Sequence, residues 1–216
     1  MTGPEPARVS AGEAGRTIVA CARRLWQAGL IAGADGNISV RVGDDLLVVT
    51  PRGMPKADLE VSDLVLVSLA GDHRGGFRLP SSELDLHLRI YRERQDVGAV
   101  VHAHPPTATG FAVAGVGIPG DVLPESISLL GPVPVIPYAT PGTLAVGDGI
   151  VPYLRGHGGV LLANHGAVTW GADLQLAQIR MESMEHAARI LLVARSVGHV
   201  TPLTEAQVAE LTRPGG

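Results

Sequence analysis

The sequence predicts a mixed α/β fold in which helices cover a largely antiparallel sheet. Three observations carry this reading. From residue 174 to about 197, Ala177, Met181, Met184, Ala188 and Leu191 recur at alternating steps of four and three, the period of one helix face. Several short runs rich in Val, Ile and Leu lie between Gly, Pro and Asp, as strands do. Strand-like and helical segments do not alternate regularly, which argues against a parallel doubly wound sheet.

Taken along the chain, residues 14–27 place Ile18, Ala22, Leu25 and Trp26 at helical spacing, and Gly29 follows where a helix-ending glycine belongs. Residues 38–42 and 46–50 carry β-branched residues on either side of Gly43-Asp44-Asp45 and predict a hairpin; residues 64–69 predict another strand. After Pro80, Ser81-Ser82-Glu83 leads into Leu84, Leu88, Ile90 and Tyr91 with charges between them, a helix whose start offers hydroxyl caps. Residues 98–104 form a short Ala/Val strand stopped by Pro105-Pro106, and residues 133–137 and 159–164 are further strands. The long last helix takes Asp173 as its N-cap. The first dozen residues and residues 212–216 read as loose ends. Residues 1–216 are expected to form a single domain with its core at about 17–197.

A chain of 216 residues supports one sizeable core. With seven aromatics against 28 glycines and 16 prolines, that core must come from Ala, Val, Leu and Ile between frequent turns. A hydrophobic share of 45% against 18% charged excludes disorder. The formal charge of −4, without a block of Lys or Arg, gives no electrostatic footprint for nucleic acid or an anionic membrane. A single cysteine, Cys21, and the lack of a membrane-length apolar run or a signal-like start predict a cytoplasmic protein.

The chemistry centres on histidine. His102 and His104 sit two apart at the end of a strand, so both imidazoles project from one face and can share a metal ion. Two polar residues on a solvent-facing strand would read the same way. His165, ending the apolar run Leu161-Leu162-Ala163-Asn164 before Gly166, is the third candidate ligand. Three neutral imidazoles would leave a tetrahedral Zn²⁺ with one open position, the catalytic rather than the structural arrangement. His87, four residues after Glu83 on the same helix face, either supports the site or packs in the core. His73, His157, His186 and His199 read as exposed or packing residues.

Ser81, Ser82 and Glu83 place two hydroxyls and a carboxylate at a helix start, where free N–H groups favour anions; ordinary capping explains them equally well. Gly36-Asn37 and Arg52-Gly53 lie in two further turns next to strands, offering amides and a guanidinium that can close around phosphate. Gly115-Val116-Gly117-Ile118-Pro119-Gly120 fits a dinucleotide fingerprint by letter, but its proline and the missing helix rule that out. Neither a Walker A sequence nor a Ser nucleophile elbow is present.

In this order, Gly36-Asn37-Ile38-Ser39, Thr50-Pro51-Arg52-Gly53, Ser81-Ser82-Glu83 with His87, His102-Ala103-His104-Pro105 and Asn164-His165-Gly166 resemble the class II aldolase/adducin family. Within it the likeness is to ketose-1-phosphate aldolases, and it runs from about residue 17 to 197. The resemblance implies an α/β/α sandwich, a homotetramer with active sites between subunits, and Zn²⁺ or another divalent transition metal on His102, His104 and His165. It implies Glu83 as acid/base and as a possible fourth metal ligand before substrate binds, and Gly36, Asn37, Arg52, Gly53, Ser81 and Ser82 as the phosphate site. The implied reaction is cleavage of a small phosphorylated sugar, a ketose 1-phosphate, to dihydroxyacetone phosphate and an aldehyde through a metal-stabilised enediolate. Glu83 can move the proton near neutral pH if partial burial raises its pKa when the metal does not directly neutralise it. Other lyase, decarboxylase or epimerase chemistry remains the alternative, and a non-enzymatic scaffold has no need of these histidines.

Two departures stand out. Arg52 occupies a position where the aldolases carry Thr or Ser, and the family's proton-donating tyrosine falls near Leu123. Asp121, Glu125 and Tyr138 are the candidates to replace it, and no tyrosine follows Tyr153 to serve from the C-terminal tail.

Overall fold

The computed structural model describes residues 9–213. In chain order the elements are α1 (Ala11–Gln27), β1 (Asn37–Gly43), β2 (Leu46–Val49), β3 (Val65–Val67), β4 (His73–Gly75), α2 (Leu84–Glu93), β5 (Ala99–Ala103), α3 (Pro106–Val113), α4 (Pro124–Leu129), β6 (Val135–Ile136), α5 (Leu144–Ile150), β7 (Gly159–Leu162), β8 (Gly166–Gly171), α6 (Leu174–Val197) and α7 (Glu205–Leu211). All eight strands join one sheet in the order β4-β3-β2-β1-β5-β8-β7-β6. Every neighbouring pair is antiparallel except β6 with β7.

Both faces of the sheet are covered, giving the three-layer α/β/α sandwich. Strand alternation sorts the side chains. Ala99, Val101 and Ala103 of β5 pack with Ile18 and Leu25 of α1 and with Met181 and Met184 of α6. Val100, between them, packs with Leu88 and Ile90 of α2 and Val146 of α5, as do Val168 and Trp170 of β8. His102 has the same parity as Val100. The bulkiest fully buried side chain, Trp170, thus fills the α2 side of the central strands.

The helix expectations hold where capping and period agree. Ser10 Oγ accepts the Glu13 N–H at 3.2 Å and starts α1, three residues earlier than periodicity places it; Trp26, counted with the apolar face, is instead 45% exposed. Asp173 caps α6, its Oδ1 accepting from Leu176 N at 2.7 Å. The hairpin of β1 and β2 forms with a register shift between Arg41 and Gly43. The expected strands at 64–69 and 133–137 shorten to β3 and β6. Of the expected loose ends, residues 1–8 and 214–216 lie outside the described residues, while Ala11 and Gly12 open α1.

Several elements depart from the sequence reading. The segment after the His165 turn, which the sequence reading assigned to no element, is a fully buried central strand, β8. The unexpected α3 and α4 begin with Pro106 and Pro124 at their first helical positions, where proline's fixed φ and missing N–H suit a helix start. Beyond α6, Thr204 and Gln207 form a capping box that starts α7. Among the described residues no helix is long and apolar enough to cross a membrane.

Candidate metal centre

The backbone brings the three histidines together at one end of the central strands. His102 lies next to the end of β5, its register partner is Asn37 on β1, and its ring is fully buried. His165 sits in the tight turn joining β7 to β8, where Asn164 adopts φ +56° and His165 N–H donates to Leu162 O at 3.0 Å. Two glycines permit the approach. A Cβ on Gly166 would lie 2.5 Å from the His104 ring, and one on Gly36, at φ +70°, 2.7 Å from His102 O. Neither position accommodates a side chain.

His102 Nδ1–H donates to Ala167 O at 2.9 Å, which leaves the Nε2 lone pair pointing at its neighbours. His104 Nε2 stands 3.1 Å from it. The three rings have centroids 4.7 to 5.1 Å apart, and one nitrogen from each falls within 4.8 Å of the others. Glu83 reaches in from the start of α2: its Oε2 is 3.2 Å from His102 Nε2 and its Oε1 3.2 Å from His165 Nε2. Oε1 is buried without a hydrogen-bond donor. A carboxylate oxygen and imidazole lone pairs converging without a proton between them form a donor set that a divalent cation satisfies. His102, His104, His165 and Glu83 therefore fit a metal.

The electrostatics keep the ligands in their binding forms. Burial, reinforced by His102, lowers the His165 pKa to about 4 and also lowers that of His104, so both rings are neutral near pH 7. For Glu83, burial pushes the pKa upward as expected. The adjoining His102 and His165 rings and the Asn37 amide outweigh it, so the carboxyl titrates below the usual carboxylate range. The expectation of a raised Glu83 pKa is thus corrected: in this arrangement Glu83 is ionised and begins as a base.

The expected hydroxyl cap also differs. Glu83 itself is the N-cap of α2 and makes no side-chain cap bond, because its carboxylate is turned toward the histidines; Ser81 Oγ accepts the Glu83 N–H at 3.2 Å instead. The anion-site candidates come from three adjoining segments. Ser81 N–H bonds to Thr50 O at 3.2 Å, Pro51 bridges Pro80, and Arg52 N–H bonds to Leu79 O at 3.0 Å, tying Arg52-Gly53 to Ser81-Ser82. Thr50 Oγ1 accepts the Ile38 N–H at 3.1 Å, which holds Gly36-Asn37 beside them. Arg52 is exposed and has no ion-pair partner among the described residues.

The candidate replacements for the tyrosine are not brought in. Leu123 is the N-cap of α4, Glu125 lies in the first turn of that helix, Asp121 is engaged through its carbonyl by Leu203 N–H, and Tyr138 is 60% exposed. Among the described residues, none of these bonds to Glu83 or to the three histidines. His87, by contrast, is buried against Asn37 and Ser39 and supports the site. Ser39 and Tyr91, read only as a motif residue and a helix-face residue, form the inner contacts of His87: Ser39 shares Asn37's face of β1 and Tyr91 lies one turn beyond His87. Asp35 Oδ2, 3.5 Å from His104 Nδ1, was likewise not singled out.

Residues 16–192 match the family described as class II aldolase and adducin N-terminal domain. The chain belongs to the class II aldolase and adducin family. Among its relatives is a 5-deoxy-D-ribulose 1-phosphate aldolase of Bacillus thuringiensis, 34% identical over 91% of this chain and 92% of the relative. A 3-oxo-tetronate 4-phosphate decarboxylase of Pectobacterium atrosepticum is 31% identical over 97% of each. A solved L-fuculose 1-phosphate aldolase superposes with a TM-score of 0.87 at 30% identity, covering 97% of both chains. This class II aldolase family member thus resembles enzymes named for two reactions on small phosphorylated sugars or sugar acids.

Proposed function

We propose that this chain is a zinc-dependent aldolase that cleaves a ketose 1-phosphate to dihydroxyacetone phosphate and an aldehyde. The observation that carries the proposal is the partly buried Glu83 carboxylate set among three imidazoles and beside the anion cradle. The similarity to named sugar-phosphate aldolases supports it.

A divalent cation bound by His102, His104 and His165 supplies Lewis acidity toward the oxygens on which charge develops as the carbon–carbon bond breaks. The protein supplies position and proton transfer. Gly36, Asn37, Arg52, Gly53, Ser81 and Ser82 hold the phosphate and so fix the reacting carbons against Glu83. In cleavage the ionised Glu83 takes the hydroxyl proton on the aldehyde side, that oxygen becomes the aldehyde carbonyl, and the bonding electron pair stays on the carbon of the phosphorylated half. Glu83 then delivers the proton it has taken to that carbon; in condensation it removes the same proton.

The working form is a cytoplasmic homotetramer. Phe77 and Leu79, 73% and 68% exposed, flank the Arg52 side of the cradle, and Tyr138 and Leu144 are 60% and 64% exposed. Apolar exposure of this kind suits a subunit contact.

A second reading is decarboxylation of a phosphorylated sugar acid, which leaves the same electron pair next to a carbonyl. Arg52, which has no ion-pair partner among the described residues, and the decarboxylase relative favour it. Incubating zinc-loaded and chelator-treated protein with L-fuculose, L-rhamnulose and 5-deoxyribulose 1-phosphates separates the readings. Metal-dependent release of dihydroxyacetone phosphate supports the aldolase. Release of carbon dioxide from a 3-oxo sugar-acid phosphate, with no aldol cleavage, supports the decarboxylase.

A further inference from the structure

Behind Glu83 a chain of buried polar side chains runs along the α2 side of the sheet, and the proposed reaction makes no direct use of most of it. Ser39 is fully buried, and His87, Tyr91 and Asn37 are 2%, 1% and 4% exposed. Asn37 Nδ2 donates to Glu83 Oε2 at 2.8 Å, so its Oδ1 faces His87 Nε2 and accepts from it. His87 then carries its proton on Nε2. Its Nδ1 is a bare acceptor to which Ser39 Oγ–H donates at 2.6 Å. Tyr91 Oη, 2.9 Å from Ser39 Oγ, donates to Ser39 O at 3.0 Å and closes the inner end.

The geometry points to His87 as a specificity-determining positioning residue: by holding Asn37 Oδ1, it keeps the amide NH₂ on the catalytic side, so the cradle presents a donor there and selects an anionic group. The second Nδ2 hydrogen has no partner among the described residues and is available to that group. His87 Nε2–H holds Asn37 Oδ1 on the inner side, so the amide does not turn over and the cradle keeps its donor.

This inference rests on the proposed function for the nature of the anion, phosphate, whereas the position of the His87 proton stands independently of it. The test uses the zinc-loaded full chain. Nitrogen NMR of labelled histidine should show His87 protonated on Nε2 with Nδ1 unprotonated; the reverse tautomer overturns the inference even if no variant folds. Calorimetric titration with inorganic phosphate should give about tenfold weaker binding for His87→Leu at unchanged zinc content. Recovery is expected in His87→Gln, whose amide N–H can still reach Asn37. Wild-type binding that His87→Leu leaves unchanged overturns the role of His87 alone. Absence of phosphate binding by the wild type overturns the phosphate reading together with that role.

Discussion

The carboxylate of Glu185, in the middle of α6, caps the start of α3 in place of any local residue. It accepts the Thr107 N–H at 3.2 and 2.9 Å through its two oxygens and the Ala108 N–H at 2.9 Å. Pro105 and Pro106 have no side chain with which to cap that end. Arg189, one turn further along α6, donates to Glu185 Oε1 at 2.9 Å. His104 immediately precedes the two prolines, so this buried contact anchors one end of the histidine set to a long helix.

Replacing Glu185 with Ala leaves two helix-start N–H groups unpaired in the interior. A loss of about 2–4 kcal/mol in urea unfolding is expected. A change within experimental error would show that water satisfies these amides.

Gly36→Ala places a Cβ 2.7 Å from His102 O in a left-handed conformation. The substitution should cost on the order of 1–2 kcal/mol in backbone conformation alone and should displace Asn37 or His102. Zinc affinity, measured by competition with a chromogenic chelator, is expected to fall with it. Unchanged affinity would mean that the turn relaxes without moving the strand end.

His102→Ala removes the ligand whose orientation is fixed by Ala167 O. Purified variant should carry less than stoichiometric zinc by elemental analysis while retaining the wild-type far-ultraviolet spectrum. Full zinc content would refute the ligand set.

Lys56 supplies the pH dependence. Its ammonium is buried and donates to Ala34 O and Met54 O at 2.9 Å each, tying together the two turns that carry Gly36 and Gly53. Burial, partly offset by Asp35, holds its pKa down to about 8 from the ordinary 10.5. Above about pH 8 the native lysine loses its proton while the unfolded one keeps it, so the unfolded chain binds more protons and this group's contribution to stability rises with pH up to about 10.5. The unfolding free energy of wild type minus that of Lys56→Met should therefore increase from pH 8 to pH 10. A flat or falling difference would contradict the assignment.

The parts legible in sequence were those with a local period or an ordered set of polar residues. The α6 face and the Asp173 cap are written in consecutive turns, and the i, i+2 spacing of His102 and His104 follows from strand geometry. The strand β8 was hidden because Gly166 at its start follows a turn, whereas that glycine also admits the His104 ring. The role of Glu185 was hidden for a different reason: its partners lie 77 and 78 residues away, and no periodicity signals such a contact. The Glu83 pKa direction required knowing that both carboxylate oxygens meet imidazoles, which spacing along the chain cannot show.

The central claim is that Glu83 moves a proton at the carbon beside the carbonyl, and hydrogen exchange tests it without knowledge of the aldehyde. Zinc-loaded protein mixed with dihydroxyacetone phosphate in deuterated buffer is followed by proton NMR. Loss of one hydrogen signal from the hydroxymethyl carbon is expected, dependent on zinc and abolished in Glu83→Gln at unchanged zinc content. Exchange retained at the wild-type rate by Glu83→Gln, or absent from wild type holding stoichiometric zinc, would contradict it.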